Sequence, residues 1–499
     1  MAGNPVLERA RALIDTGRLD EAYALTAPLA QAAEPEHRAL ALHATILKGL
    51  KRREDALVYD RKAVERFPTS GVAWHNLGAT LGDLGRGRES AAAVEKAFAL
   101  GIDSPLTWGV MARARLATGE LDAAEAAYRE ALRRAPGNEA TAAEFANILW
   151  MRHGDMDAAM AVLDRAFHGG GNPAPLVLAK AKLLDAAGRN DQAADLLSRA
   201  AERLAHDHQI LLAACQAVLE AGRLAEAERL VLAADTAQPN NPGVMNQMAI
   251  VYLALGRPDV ALARVRHGLS IQPENQSLWG WAATAARAVG DPLHAELYDY
   301  DAMVGTYEID APDGWASREA FLADLATSLE GLHQYAEHPT NQSLRHGSQT
   351  MHLLTGSDDP AIRAFFQALE VPIRAHMAKL GQGTDPLRRR HTGDYRIQGA
   401  WSVRLRSGGF HKDHFHPEGW LSSAFYVETP AEALGRGGKE GWLRLGQPPF
   451  RTDPPLSPER WIRPEPGRLV LFPSYMWHGT EPFTTDEHRM TIAFDVVPA

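Results

Sequence analysis

At 499 residues the chain exceeds one ordinary hydrophobic core, so two or three domains are expected. Hydrophobic residues at 45% and charged residues at 23% exclude a disordered chain. A net charge of −10 speaks against a nucleic-acid partner, and the local run Arg388-Arg389-Arg390 reads as a solvated loop.

In chain order, the opening MAGNPVLERARALIDTG has no apolar leader core, and no later stretch of about 18 apolar residues could span a bilayer. The expectation is a cytoplasmic protein without membrane contact. A 34-residue period follows. The segment Gly-x-x-x-x-Ala recurs at Gly17/Ala22, Gly119/Ala124, Gly154/Ala159, Gly188/Ala193, Gly222/Ala227, Gly256/Ala261 and Gly290/Ala295, while Lys51/Ala56 and Gly85/Ser90 fill the remaining slots. Each step is 34 residues, except one of 35 between Gly119 and Gly154. Proline follows the glycine slot by 17 residues at Pro68, Pro136, Pro239 and Pro273, and tryptophan precedes it by 11 at Trp74, Trp108 and Trp279.

One repeat thus spells a helical hairpin. Glycine closes the first helix, the small residue lets the second pack close, and proline ends it. Such a hairpin cannot bury its apolar face alone, so stacking supplies the core and leaves a concave surface suited to a protein or peptide partner. The pattern resembles the tetratricopeptide repeat, with about nine copies over residues 3–303. The single cysteine, Cys215, lies in an alanine-rich stretch of these repeats and reads as a buried structural thiol. It excludes an intrachain disulfide, a thiolate metal cluster and Cys-x-x-Cys redox chemistry.

Past residue 303 the rhythm stops, and TYEIDAPDGWAS reads as a connector, giving domains over 1–303 and 318–499 with a linker at 304–317. Ser317 caps one predicted helix (Phe321, Leu325, Leu329, Leu332) and Asp359-Pro360 opens another (Ile362, Phe366, Leu369, Ile373, Met377). The polar stretch 338–350 between them reads as a loop. From about 396, short β-rich runs separated by Gly and Pro (WSVRLRSGG, WLSSAFYVETP, GWLRLG, GRLVLFPSY, RMTIAFDVV) predict an antiparallel jelly-roll domain. The predicted fold class is therefore α + β multidomain: an α-solenoid followed by a jelly roll with flanking helices.

HKDHFHPEGW, residues 411–420, carries the chemistry. His414 and His416 are two apart on an extended backbone, so both imidazoles can reach one metal ion. His478 follows a predicted strand that could return it to the same mouth, and Arg489 comes eleven residues later. This order resembles the 2-oxoglutarate- and Fe(II)-dependent oxygenases. HFHPEGWLSSAFYV, GRLVLFPSYMWHGTEPF, HRMTIAFDV and QSLRHGSQT look like a bacterial subgroup of these that often carries tetratricopeptide repeats in front; the resemblance covers roughly 315–498. It implies a double-stranded β-helix, Fe(II), 2-oxoglutarate as cosubstrate, O2, and Arg489 holding the distal carboxylate of 2-oxoglutarate as a bidentate partner. No catalytic residue is implied beyond the metal and cosubstrate ligands.

The departure is at the carboxylate of the usual two-histidine, one-carboxylate set. Three ligand sets stay open: His414 with His416 and His478; a frame shifted to His416-Pro417-Glu418; and His411-Lys412-Asp413. The three-histidine set is taken as the expectation, because Pro417 stiffens the second frame and the third lies furthest from strand 420–427. A cupin frame fails, since Trp420 and Leu421 stand where its glutamate would fall. The expected function is hydroxylation of a protein or peptide presented by the solenoid. The alternatives are a repeat scaffold with a degenerate oxygenase domain, or a small-molecule hydroxylase. Trp401, Arg404 and Tyr426 are candidates for the pocket wall.

Overall fold

A helix closes cleanly when the next residue can take the left-handed conformation, which glycine adopts without penalty. In the computed structural model, which describes residues 4–340, 342–351 and 353–499, the glycines of the 34-residue slot all do so, with φ from +63° at Gly154 to +77° at Gly119. Residues 1–3, the start of the predicted solenoid, lie outside the described residues, as do Asn341 and His352. The small residue five positions on is buried: Ala22, Ala124, Ala159 and Ala227 are fully enclosed, and Ser90 donates its hydroxyl to the Gly78 carbonyl at 2.7 Å. The four prolines each stand two residues past a helix that ends at Arg66, Arg134, Ala237 or Ile271. The indole N–H of Trp74 donates to the Pro68 carbonyl and that of Trp279 to the Pro273 carbonyl, at 2.9 and 2.8 Å, so each tryptophan ties down the preceding turn.

Lys51 fills its glycine slot with φ +61°. That conformation costs a residue with a Cβ roughly 1–2 kcal/mol, part of which glycine would give back through its freer unfolded chain. Lys51→Gly is therefore expected to raise the melting temperature by about 2 °C, read by scanning calorimetry. An unchanged or lower melting temperature would show that contacts of the lysine outweigh the strain.

The hairpins run from Pro5–Asp15 with Leu19–Gln31 to Pro242–Ala254 with Pro258–Ile271. A further first helix, Gln276–Val289, is followed by only a five-residue partner, Leu293–Leu297, and its slot residue Ala295 is exposed. Two compact units result. One comprises Met1–Phe145 and Asp164–Gly171, the other Ala146–Leu163 and Asn172–Ala499. The first holds helical hairpins. The second holds the later hairpins together with the strands. Cys215 is buried there, with burial pushing its thiol up to about 12. Among the described residues no helix is long and apolar enough to cross a membrane.

The strands are β1 (Gly305–Glu308), β2 (Leu344–Gln349), β3 (Tyr395–His411), β4 (Leu421–Glu428), β5 (Leu443–Leu445), β6 (Arg460–Ile462), β7 (Arg468–Pro473), β8 (His478–Thr480) and β9 (Arg489–Pro498). They form two antiparallel sheets, in the orders β1-β7-β4-β9-β3-β2 and β6-β5-β8. Ser317 caps helix Arg318–Glu330 by accepting the Ala320 N–H, as its sequence predicts. The run that begins at Pro360 breaks into Pro360–Ala368 and Glu370–Leu380, because Pro372 has no N–H to donate to Ala368. Phe365 of the first meets Phe425 of β4 and Phe494 of β9, ring centroids 4.7 and 6.3 Å apart, which covers one face of the larger sheet.

Two segments differ from the sequence reading. Residues 305–308, read as connector, pair with β7, and residues 344–349, read as loop, pair with β3. β2 is polar yet buried: Ser348 bonds the His333 ring at 2.9 Å, and Gly347 lies so close to the Arg404 carbonyl that a Cβ would collide with it. Polarity signalled a loop where it equips a strand beside a cavity.

Candidate metal centre

A cavity of about 420 Å³ lies between the two sheets. Alternation along β9 turns Arg489, Thr491 and Ala493 into it, while Phe494 faces the covering helix. His478 opens β8. Its N–H donates to the His414 carbonyl and the His414 N–H donates to the His478 carbonyl, both at 2.9 Å. This backbone pairing joins two points 64 residues apart and brings their side chains together. Gly479 is obligatory beside it, since a Cβ there would run into the Asp413 carboxylate.

His414, His416 and His478 each offer a ring nitrogen, and these atoms all lie within 4.8 Å of one another. In every one of the three, Nδ1 is already committed. His414 Nδ1–H donates to the Lys412 carbonyl at 2.8 Å, His478 Nδ1–H to the Met476 carbonyl at 3.0 Å, and His416 Nδ1–H to the Asp495 carboxylate at 2.7 Å. Those oxygens only accept, so each Nδ1 carries a proton, and a neutral ring then has its lone pair on Nε2. Burial, reinforced by the neighbouring imidazoles, pushes His414 down to about 3 and His478 well below its ordinary range. Both therefore remain neutral at neutral pH. Three imidazoles with ring nitrogens within 4.8 Å of one another, each ring held from behind, are a donor set that fits a first-row metal ion.

The other proposed ligands are committed elsewhere. Asp413 takes a two-pronged ion pair from Arg444, at 2.9 and 2.7 Å, and a third bond from Gln447. Glu418 is exposed, because the Gly419 N–H returns to the His416 carbonyl and turns the chain outward. His411 lines the cavity but stands apart from the three-nitrogen group. Its Nδ1–H donates to Ser343 Oγ, whose hydroxyl in turn donates to His414 Nε2, at 3.0 and 3.2 Å.

Arg489 is 2% exposed and its guanidinium lies 5.0 Å over the Tyr426 ring. Nη1 donates to Thr480 Oγ1 at 3.2 Å, while Nε has no hydrogen-bond partner. Among the described residues no carboxylate pairs with it, and burial lowers its pKa. An unpaired buried cation is costly unless a ligand completes it. Trp401 lines the same cavity and tilts over His416 at 6.0 Å. Arg404 instead pairs with Glu330 at 2.9 Å, outside that cavity. Asp495 and Ser343 were missed from sequence. Asp495 shares the parity of Arg489 along β9, a signal that alternation offers.

Comparison with known proteins agrees with this layout. Residues 75–139, 110–173 and 178–242 match the tetratricopeptide repeat, and residues 399–495 match the family described as "Putative 2OG-Fe(II) oxygenase". The chain thus carries tetratricopeptide repeats followed by an oxygenase-family segment. Solved structures similar to parts of it include MamA (18% identity over 32% of this chain and 94% of that one, TM-score 0.28) and one titled for Pseudomonas aeruginosa pilF (18%, 40% and 90%, TM-score 0.33). No curated protein matches the chain.

Proposed function

We propose that the segment after the solenoid is an Fe(II)- and 2-oxoglutarate-dependent oxygenase, its two sheets forming a double-stranded β-helix. His414, His416 and His478 would hold the metal and Arg489 the distal carboxylate of 2-oxoglutarate. The observation that carries the reading is the joint presence, in one cavity, of three back-bonded imidazoles and one buried guanidinium that has no carboxylate partner among the described residues. Bound Fe(II) would supply the redox chemistry that splits 2-oxoglutarate into succinate and CO2 while one oxygen atom of O2 enters a substrate C–H bond.

The chain's own residues explain the rest. Imidazole ligands carry no charge, so three of them, unlike a set containing a carboxylate, would leave the ion's full double charge to attract an anionic cosubstrate. Asp495, behind His416, returns part of that charge from outside the ligand set. Thr480 fixes one arm of the guanidinium and leaves the rest for a carboxylate.

A protein or peptide is the substrate class best supported, because the late repeats form part of the surroundings of the centre. Gly280 of helix Gln276–Val289 approaches the Tyr475 carbonyl and the Phe415 ring so closely that a Cβ would touch both. The Trp281 ring meets that of Trp477 at a 60° tilt with centroids 4.7 Å apart, and the Trp477 indole donates to Thr284 at 2.8 Å. Phe415 and Trp477 are direct neighbours of the proposed ligands.

Anaerobic addition of Fe(II) and then 2-oxoglutarate tests the reading. A visible charge-transfer band that needs both is expected. Saturable Fe(II) uptake with no band on adding 2-oxoglutarate, or no uptake at all, would favour a repeat scaffold with a degenerate domain.

A further inference from the structure

The peptide that presents a carbonyl to His414 is clamped from both sides. Asp413 is pinned by Arg444, as described. Its neighbour Lys412 points the other way, and its ammonium pairs with Asp185 at 2.9 Å. Asp185 belongs to solenoid helix Pro173–Ala186 and lies 227 residues before Lys412. The same carboxylate pairs with Arg345 at 2.7 Å. Arg345 is 8% exposed, and its other arm donates to the carbonyls of Gln342 and Leu344 at 2.8 Å each. Those two residues flank Ser343, whose hydroxyl faces His411 and His414 and whose carbonyl accepts the Lys412 N–H at 2.9 Å.

We propose that Asp185 is a positioning residue for the three-histidine centre, through which a solenoid helix sets the affinity of the site for metal. The inference rests on the metal reading above. One carboxylate holds the two chain segments, 342–345 and 411–414, that bear on the His414 ring: the second supplies the acceptor for Nδ1–H, and the first carries Ser343, whose hydroxyl bonds Nε2 in the metal-free centre and yields that lone pair to a metal. Among the described residues no other carboxylate pairs with Lys412 or Arg345. Without it, two cations are left side by side and repel, and the Lys412 carbonyl loses one of the ties that fix its direction. His414 would then sample orientations that miss the metal. Asp185 also lines a groove between helices of the solenoid, beside Lys182 and Glu220, so the link begins on a surface the repeats present.

The test is Co(II) titration of the metal-free full chain, followed by visible absorption. Asp185→Asn is expected to weaken Co(II) binding about tenfold, the scale of other outer-shell changes at metal sites. It should also alter the d–d band shape at saturation, a signature that a general loss of stability would not produce. Asp185→Glu is expected to recover affinity to within twofold of the natural protein. Lys412→Met, which cuts the same link at its other end, serves if Asp185→Asn does not fold. Natural affinity and band shape in the folded Asp185→Asn protein would overturn the inference. Failure of the natural chain itself to take up Co(II) would instead remove the metal reading beneath it, so the two failures are told apart.

Discussion

Replacing His478 by alanine is expected to abolish saturable metal binding while leaving the metal-free fold intact. The two effects separate because His478 acts twice. Its backbone pairs with His414 through two 2.9 Å hydrogen bonds, which an alanine would still make. Its imidazole is 7% exposed, with Nδ1 held by the Met476 carbonyl, and supplies one of the three nitrogens grouped there among the described residues. Outer-shell changes at metal sites cost about 10–100-fold in affinity, and loss of one ligand in three should exceed that range. Isothermal titration with Fe(II) under anaerobic conditions reads the affinity, and thermal unfolding of the metal-free protein reads the fold. Undiminished affinity would place the metal elsewhere. A collapse of the metal-free fold would instead assign His478 a structural role.

Arg489→Met is expected to separate cosubstrate binding from stability in an unusual direction. Breaking a buried charge pair commonly costs about 2–5 kcal/mol, which corresponds to a 30- to 5,000-fold loss of affinity for 2-oxoglutarate. Metal binding should survive, since Arg489 is not in the three-nitrogen group. Stability should hold or rise. The natural guanidinium is buried, its Nε is unsatisfied and no carboxylate among the described residues pairs with it, so folding carries a desolvation cost that methionine removes. A ligand-binding arginine gives this pattern of weaker 2-oxoglutarate binding with equal or higher melting temperature. A structural arginine gives the reverse, and that outcome would end its assignment to the cosubstrate.

Much of this was legible in the sequence because periodicity and spacing are local quantities. The 34-residue phase located the hairpin turns, even where lysine replaces glycine at position 51, and the wide β-rich runs became β3, β4, β7 and β9. The two-residue spacing of His414 and His416 sufficed to place their rings together. What failed was long-range or too short to carry a pattern. β8 has three residues and β1 four, too few for alternation to register, and polar β2 is buried only because a cavity and His333 lie beside it. The choice among the three ligand frames was likewise not local. Asp413 is drawn away by Arg444, 31 residues on, and that pairing is invisible until β5 is set beside β8. The tie from Asp185 to Lys412 spans 227 residues and no motif announces it.

X-ray absorption on the Fe(II)-loaded chain, without cosubstrate, reaches the central claim most directly. Multiple scattering from three imidazoles around one iron is the predicted outcome in the natural protein, with no bound-iron signal in His478→Ala. Two imidazoles with a bound carboxylate in the natural protein would contradict the account, since neither Asp413 nor Glu418 can reach the iron without leaving the position described above.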